Sequence, residues 1–330
     1  MSKLAVIALG GNALLRDNQA GTIEEQEANT TETLENIIFL LNEGYNLVLT
    51  HGNGPQVGNI VMQNDAGEQM YDIPQMPLDI CVASTQGSIG YMIERCLRNV
   101  LRKHGIQRNV LSLISTVEVN PDDEAFNNPT KRTGRIYSKE QAEKLAESKG
   151  WIFKEENKQT TGFRRVVPSP QPIHIMNWEV IERNARAGTI VIATGGGGVP
   201  VYFDREGNMR PSEAVIDKDL ASSMLASQIK ANEFYILTDV AYVYADYKGA
   251  NQKILEFLDY DDAVKYLDKG IFGEGSMAPK IKAALHFVGH GGEVSVITEA
   301  GKLEDKTYGS KITMEYDPND LERQKKRVEN

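Results

Sequence analysis

Three short runs of β-forming apolar residues in this chain each end abruptly at a cluster of glycines. Residues 4–9 (LAVIAL) precede GGN, residues 47–50 (LVLT) precede HGNGP, and residues 190–194 (IVIAT) precede GGGG. Each run predicts a buried strand followed by a loop with almost no side chains, whose N–H groups can approach an anion closely. Ligands bind at the carboxyl ends of the strands in open α/β sheets, so the three loops predict one anion site built from several strand ends.

Composition indicates where the positive charge of such a site must come from. A chain of 330 residues can bury a core as one large domain or two intimate domains. Its net charge of −10 makes it a poor match for nucleic acid or an anionic membrane surface. If the ligand is an anion, the positive charge at its site must therefore be local, which directs attention to individual lysines.

The sequence favours a cytoplasmic protein. The first residues, MSKLAVIALGGN, carry one lysine and a short apolar stretch that leads into a predicted strand, unlike a signal peptide. No apolar run approaches the ~20 residues that cross a bilayer. Cys81 and Cys96 lie on one predicted helix, roughly 22 Å apart at about 1.5 Å per residue, whereas a disulfide needs Cα atoms within ~7 Å. We expect no disulfide between them.

Strand-like and helix-like segments alternate along the chain, which predicts βαβ units and a largely parallel sheet. The predicted helices cover residues 22–43, 55–70, 79–104, 219–231 and 276–287, and further predicted strands cover residues 110–119, 190–194, 234–238 and 294–298. Gly44 is expected to end the first helix and Asp79 to cap the third. Because the third helix carries Gly87 and Gly90 among other small residues, we expect it to pack closely on another element or a second subunit.

Residues 120–170 depart from this alternation. They are polar, contain several prolines, and hold one predicted helix with Ser138 at its cap and Gln141 three residues later, which is the capping-box pattern. Two interpretations stay open for this segment: a solvated excursion, and a lid or protruding subdomain.

The common phosphate and metal motifs are absent from the sequence. No stretch matches the P-loop, and Val57 occupies the third glycine position of the dinucleotide fingerprint that Gly52 begins, which argues against a nicotinamide-dependent dehydrogenase. His51 has no serine or cysteine partner for a triad, so it is interpreted as structural, with a ligand contact as the alternative. No His or Cys cluster has zinc spacing. Any metal is expected to be Mg²⁺ carried by nucleotide phosphates, since Mg²⁺ needs few protein ligands.

Two lysines stand at predicted helix starts, where a positive charge is unfavourable on its own. Lys218 lies in the segment DKD and Lys280 in the segment GSMAPK. Their placement makes sense when an anion sits between the ammonium group and the positive helix end. Asp219 is interpreted as a helix cap, a holder of the ammonium groups, or both, and Lys131 lies in the 120–170 segment. Glycine-loop N–H groups and lysines suit phosphoryl transfer, which depends on positioning and charge neutralisation.

A series of segments closely resembles the carbamate kinase branch of the amino acid kinase family between about residue 3 and about residue 313. In chain order these are ALGGNA, HGNGPQVGN, MPLDICVASTQGSIGY, DEAFNNPTK, VVPSPQP, GGGGVPV, EAVIDKDLAS, ILTDV and GSMAPKIKAA. The resemblance implies a homodimeric α/β/α sandwich around an open, mostly parallel sheet. It also implies reversible phosphate transfer, ATP plus carbamate giving ADP plus carbamoyl phosphate, used mainly to make ATP in arginine or citrulline catabolism.

The resemblance also implies a division of the chain. Residues 1–200 form the acyl-phosphate half, with the protruding lid at about 125–170, and residues 201–316 form the nucleotide half. The halves share one sheet, and no function is assigned to the tail, residues 317–330.

Site residues are carried over by motif. Gly10, Gly11 and Asn12 would contact the transferred phosphoryl group, with Gly52, Asn53 and Gly54 around the carbamoyl end. The implied catalytic residues are Lys131, Lys218, Asp219 and Lys280. The implied nucleotide contacts are Gly195, Gly196, Lys218, Thr238, Asp239, Tyr244, Met277 and Lys280, with Mg²⁺ bound only through the nucleotide phosphates.

The sequence departs from the pattern of the branch within the lid. The stretch at residues 155–165 and the residues that follow Lys131, namely Arg132, Thr133 and Gly134, are unusual for the branch. Two alternatives stay open: another acyl-phosphate kinase of the same family, and a non-catalytic sensor of ADP or carbamoyl phosphate.

Overall fold

The structure is a computed structural model. It describes residues 2–16, 19–156, 161–249, 251–273, 277–305 and 307–315. The predicted tail at 317–330 and the start of the helix predicted from Ser276 lie outside the described residues.

Helices and strands alternate along the described chain. The helices are α1 Ile23–Glu35, α2 Ile38–Asn42, α3 Gly54–Tyr71, α4 Leu78–Lys103, α5 Lys139–Lys149, α6 Trp178–Arg186, α7 Lys218–Gln228, α8 Tyr260–Asp268 and α9 Met277–Gly289. The strands are β1 Leu4–Leu9, β2 Asn46–His51, β3 Val110–Ser112, β4 Thr116–Val119, β5 Lys131–Tyr137, β6 Ile152–Glu155, β7 Phe163–Val167, β8 Pro172–Ile175, β9 Ile190–Ile192, β10 Val199–Phe203, β11 Met209–Pro211, β12 Glu233–Thr238, β13 Val243–Ala245, β14 Lys253–Leu255, β15 Phe257–Asp259, β16 Val294–Glu299 and β17 Ser310–Thr313.

A large central sheet confirms the predicted α/β class. Its strand order is β15-β17-β16-β12-β1-β2-β9-β3, and of its neighbouring pairs only β16 and β17 run antiparallel. Strands from both predicted halves therefore lie in one sheet. Every residue of β1 and β2 is buried, which explains their continuous apolar character.

Two hydrophobic cores flank the sheet and complete the three-layer sandwich. On one face Val6 and Phe234 pack with residues of α7 and α9, including Leu225 and Ile281. On the other face Ile7 and Leu49 pack with residues of α1 and α4, including Leu34 and Ile93. The alternation of β1 side chains between the two cores follows from the two-residue period of a strand.

The strand ends that carry the glycine loops lie at one edge of the sheet. Leu9 of β1 is in register with His51 of β2, and Ala8 is in register with Ile236 of β12. The loops that follow β1 and β2 therefore begin at the same level, beside the end of β12.

Residues 131–167 form a subdomain with its own antiparallel sheet, in the order β5-β7-β6, and the helix α5. The predicted capping box is confirmed: Ser138 accepts a hydrogen bond from the Gln141 N–H, and the Gln141 side chain bonds back to Ser138. The subdomain rests on α3, where a Cβ added to Gly58 would lie 2.4 Å from the Gly134 Cα. Lys149 of α5 also forms ion pairs with Asp65 and Glu68 of α3.

Two predicted elements are wrong because each is interrupted. The helix predicted at 22–43 breaks into α1 and α2, where the Asn36 side chain donates to the Glu32 carbonyl, competing with the helical pattern. The strand predicted at 110–119 divides into β3 and β4, which belong to different sheets. The chain turns away at Ser115, whose N–H donates to Gln86 and whose carbonyl accepts from Val199 of β10.

Asp79 does not cap α4, contrary to prediction. Pro77 holds the N-cap position, with an extended backbone, and Asp79 is buried in the first turn, where a carboxylate favours the positive helix end. Cys81 and Cys96 both lie buried on α4 as free thiols. Within the described ranges, none of the helices has the length and apolarity needed to cross a membrane.

The contact of Gly58 with Gly134 predicts opposite effects for two substitutions in α3. We expect Gly58→Ala to lower the free energy of unfolding by ~1–3 kcal/mol, because the new methyl group meets backbone atoms that cannot move aside. The control Gly67→Ala, whose Cβ would meet only Ile73 at 3.8 Å, should raise it by ~0.4–1 kcal/mol through the lower entropy of the unfolded chain. Urea unfolding of both variants tests this; stabilisation of both would contradict the packing.

Candidate active site

The segment DKD starts α7 at the edge where the strand ends meet. Asp217 is the N-cap residue: its Oδ1 accepts the N–H groups of Asp219 at 2.9 Å and Leu220 at 3.4 Å. The interpretation of Asp219 as the cap is therefore wrong, because Asp217 already satisfies these N–H groups. Asp219 lies one position past the start of the helix, and its carboxylate is free to bind other groups.

The Asp219 carboxylate lies between two lysine ammonium groups. Lys218 Nζ is 2.5 Å from Oδ1 and Lys280 Nζ of α9 is 2.8 Å from Oδ2. The Asp219 side chain is 6% exposed, so the ion pairs are largely removed from water. Each carboxylate oxygen thus forms an ion pair with one lysine, and the three charged groups form one ion-paired unit at the starts of α7 and α9.

Burial and mutual attraction set the ionisation of this unit. Burial alone would raise the pKa of the Asp219 carboxyl, but the adjacent Lys218 and Lys280 ammonium groups hold that pKa well below its usual range. Burial lowers the pKa of Lys218, in spite of its Asp219 partner. For Lys280, the attraction of Asp219 outweighs burial and raises the pKa.

Lys131 reaches this unit from the subdomain. Its Nζ lies 2.9 Å from the Asp217 Oδ2, although the two residues are 86 positions apart in sequence. The structure thus brings together Lys131, Lys218, Asp219 and Lys280. Asp217 and Asp219 pair with these ammonium groups, and the Asp239 carboxylate also interacts electrostatically with Lys280.

The glycine loops that follow β1 and β2 line the same edge. A Cβ on Gly52 would lie 3.6 Å from Lys218 Cδ, and a Cβ on Gly10 would lie 2.3 Å from the Leu237 carbonyl oxygen. A hydrogen bond of 2.6 Å between Thr50 and Ser222 ties the end of β2 to α7. Any side chain at position 10 would therefore clash with β12, and the loop after β2 lies directly beside Lys218.

The third glycine loop packs against the second. A Cβ on Gly195 would lie 2.4 Å from the His51 imidazole, and a Cβ on Gly196 would lie 2.2 Å from the Asn53 side chain. Gly196 also has a positive φ of 63°, and Asn53 donates a hydrogen bond to Thr85 of α4 at 2.8 Å. Glycine is thus required here by close approach, and the nucleotide contacts expected of Gly195 and Gly196 stay a prediction.

The remaining predicted residues lie on several different elements. Gly10, Asn12, Thr238 and Asp239 line a cavity of about 290 Å³, and the Thr238 hydroxyl donates to Asp239 at 3.0 Å. Gly11 and Asn12 lie in a short 3₁₀ helix, Gly11–Ala13, and Gly54 begins α3. Tyr244 lies on β13 with its ring 5.5 Å from that of Tyr247, and Met277 begins α9.

Sequence reasoning missed two residues near the site. Asp217 carried a signal, since Asp before a helix is a preferred cap and it precedes Lys218 directly. Thr194 carried none: this buried, β-branched residue has a φ of 49°, and its hydroxyl has no hydrogen-bond partner among the residues that the structure describes. Such a conformation is strained and occurs mainly where the surroundings enforce it.

Three comparisons with known proteins agree with one another. The family model described as the amino acid kinase family matches residues 3–299. The carbamate kinase of Pyrococcus furiosus is 45% identical to this chain, covering 93% of this chain and 98% of that protein. The carbamate kinase of Staphylococcus haemolyticus is 43% identical over 92% of this chain and 95% of its own length. The structure of the Giardia lamblia carbamate kinase bound to AMP-PNP has a TM-score of 0.86 and 36% identity, covering 94% of this chain and 98% of that one.

Because His51 is buried, we expect the free energy of unfolding to depend measurably on pH. Its Nδ1 lies 2.8 Å from the Gly52 carbonyl, and burial lowers its pKa from 6.5 to about 4, so the folded protein holds a neutral imidazole. The unfolded chain binds a proton at this residue below pH 6.5 and the folded chain does not, so stability falls as the pH drops toward 4, by about 3 kcal/mol.

We expect His51→Asn to flatten this part of the pH profile, since Asn cannot titrate. Urea unfolding of both proteins between pH 4.5 and 8 measures the effect, and the region above pH 7.5, where the two profiles should run parallel, serves as the internal control. Equal slopes below pH 6.5 would contradict the assignment.

Proposed function

The chain belongs to the amino acid kinase family, and we propose that it is a carbamate kinase, which transfers a phosphoryl group between carbamoyl phosphate and ADP. The observation that carries this proposal is the unit of Lys218, Asp219 and Lys280 at the strand ends that bear the glycine loops. The carbamate kinases named among its relatives, which align over nearly their full length, support the choice of substrate.

The reaction moves charge rather than protons. The bond between phosphorus and the carbamoyl oxygen breaks while a bond from a β-phosphate oxygen of ADP forms, and negative charge spreads over the oxygens of the transferred group. Fixed ammonium groups stabilise that charge because they need no reorganisation at the moment of transfer. Lys218 and Lys280 take this role, Asp219 holds both in place, and Lys131 adds a third charge from the subdomain.

Each half of the chain binds one of the two substrates. Gly10, Gly11 and Asn12 bind the transferred phosphoryl group, and Gly52, Asn53 and Gly54 surround the carbamoyl end. The AMP-PNP complex of the Giardia lamblia relative supports a nucleotide site in this chain. Its proposed contacts are Gly195, Gly196, Lys218, Thr238, Asp239, Tyr244, Met277 and Lys280. The proposed boundary between the halves is near residue 200, and the subdomain is proposed to act as a lid.

Magnesium is proposed to enter with the nucleotide. Among the residues that the structure describes, no three His, Cys, Asp or Glu side chains group as a metal site would require. Mg²⁺ bound to nucleotide phosphates keeps several waters and needs few protein ligands, so such a group is not required. When bound, the ion would neutralise phosphate charge, while the lysines orient the transferred group.

A homodimer is proposed on the exposed face of α4. Ile80, Gly87 and Tyr91 lie along one stripe of this helix and are exposed to solvent, Ile80 by 44% and Tyr91 by 65%. Beside the stripe, Ile114 is 60% exposed just beyond the edge strand β3. An exposed apolar stripe with small residues next to a free sheet edge suits close packing against a second copy.

The kinase proposal predicts ATP formation from ADP, Mg²⁺ and carbamoyl phosphate. Lys131→Ala, Lys218→Ala and Lys280→Ala should each lower kcat by roughly 10²-fold or more, the scale of one preorganised charge donor. The matched control is Lys282→Ala, an exposed lysine on α9 that makes no contact with Asp219. A coupled ATP assay measures all four. No ATP from the wild-type protein would overturn the function, and a panel of other acyl phosphates would then identify the substrate.

The dimer proposal predicts that Tyr91→Glu makes the protein monomeric, because a carboxylate would be buried in an apolar interface. Phe203→Glu, at a 41% exposed residue of β10, should leave the dimer intact. Light scattering during size-exclusion chromatography gives the molar mass of each. A wild-type monomer, or a dimer that survives Tyr91→Glu unchanged, would count against this interface.

A further inference from the structure

The carboxylate of Asp217 makes two unrelated sets of contacts, one with each oxygen. Oδ1 accepts the N–H groups of Asp219 and Leu220 and so caps α7. Oδ2 accepts a hydrogen bond of 2.9 Å from Lys131 Nζ, at the first residue of β5. A cap needs only one oxygen, so the second is available to fix a group from another part of the molecule.

The ion pair is well suited to hold its lysine. The Asp217 side chain is 21% exposed and that of Lys131 is 35% exposed, so the pair is partly shielded from water. Burial would raise the pKa of Asp217, but Lys131 and, to a lesser extent, Lys218 together lower that pKa below its usual value. A charge-assisted hydrogen bond of this length restricts the ammonium group to one direction.

The position of Asp217 makes the contact consequential. Asp217 directly precedes Lys218 and caps α7, the helix that also carries Asp219. The position of Asp217 is therefore fixed relative to these two charged residues. Lys131 belongs to a different sheet, which reaches α7 through this contact. The Asp217 carboxylate therefore fixes the position of Lys131, which comes from the subdomain, relative to Lys218 and Lys280.

We infer that Asp217 is a positioning residue for the phosphoryl transfer, which acts by holding the Lys131 ammonium beside the transferred group. This rests on the proposed kinase function. Asp217 acts through Lys131, whereas Asp219 acts through Lys218 and Lys280, so the two aspartates of the DKD segment orient different lysines.

The test is a double-mutant cycle on kcat in the ATP-forming assay. Asp217→Asn keeps an oxygen for the cap and loses the charge that holds Lys131. We expect it to lower kcat by about tenfold, the scale of one charge-assisted hydrogen bond, while the KM for ADP changes less than twofold. In a Lys131→Ala background the same substitution should leave kcat within about twofold, since the group it positions is gone.

A second variant separates positioning from folding. Asp217→Ser also caps a helix but is too short to reach Lys131, so it should reproduce the loss of kcat, with thermal unfolding close to that of the wild type. A tenfold loss that persists in the Lys131→Ala background would overturn the inference, as would an unchanged kcat in both single variants. An inactive wild-type protein would instead count against the kinase function itself.

Discussion

The sharing of the Asp219 carboxylate by Lys218 and Lys280 is the interaction on which the site depends. Two buried ammonium groups this close would repel each other, and an unpaired buried charge costs several kcal/mol. Lysines are also unfavourable beside the positive end of a helix. One carboxylate at the start of α7 offsets both effects at once, because each of its oxygens binds one lysine. The charges needed for phosphoryl transfer can therefore be held in place in the absence of substrate.

Local sequence patterns predicted the glycine loops and the lysines of this site, but not which side chains contact each other. The glycine-ended strands and the lysines at helix starts could be found because each depends on neighbouring residues. The choice of cap could not, since Asp217 and Asp219 both suit that position. It is decided by contacts with Lys131 and Lys280, which lie 86 and 61 residues away in sequence. The breaks at 36–37 and at 113–115 were missed because they involve hydrogen bonds of Asn36 and Ser115 that the hydrophobic pattern does not reveal.

The third glycine loop shows how sheet order controls the site. From the sequence, the glycines of this loop were expected to join those after β1 and β2 in one anion site. The strand order β1-β2-β9 places this loop next to the loop that follows β2. The side chains of His51 and Asn53 occupy the space that Cβ atoms on Gly195 and Gly196 would need. The absence of side chains in this loop is therefore explained by packing, and the strained backbone of Thr194 lies where the chain enters that packing.

The subdomain meets the rest of the molecule through contacts of two kinds. Gly58 and Gly134 bring backbones together, which fixes a distance that few side chains could tolerate. The pairs of Lys149 with α3 are side-chain ion pairs, which contribute only ~0–1 kcal/mol where solvent reaches them. The glycine contact therefore fixes how closely the subdomain packs on α3, and the ion pairs add further contacts between the two. Since α3 begins at Gly54 in the second glycine loop, the subdomain that carries Lys131 packs on a helix that starts at the edge where the glycine loops lie.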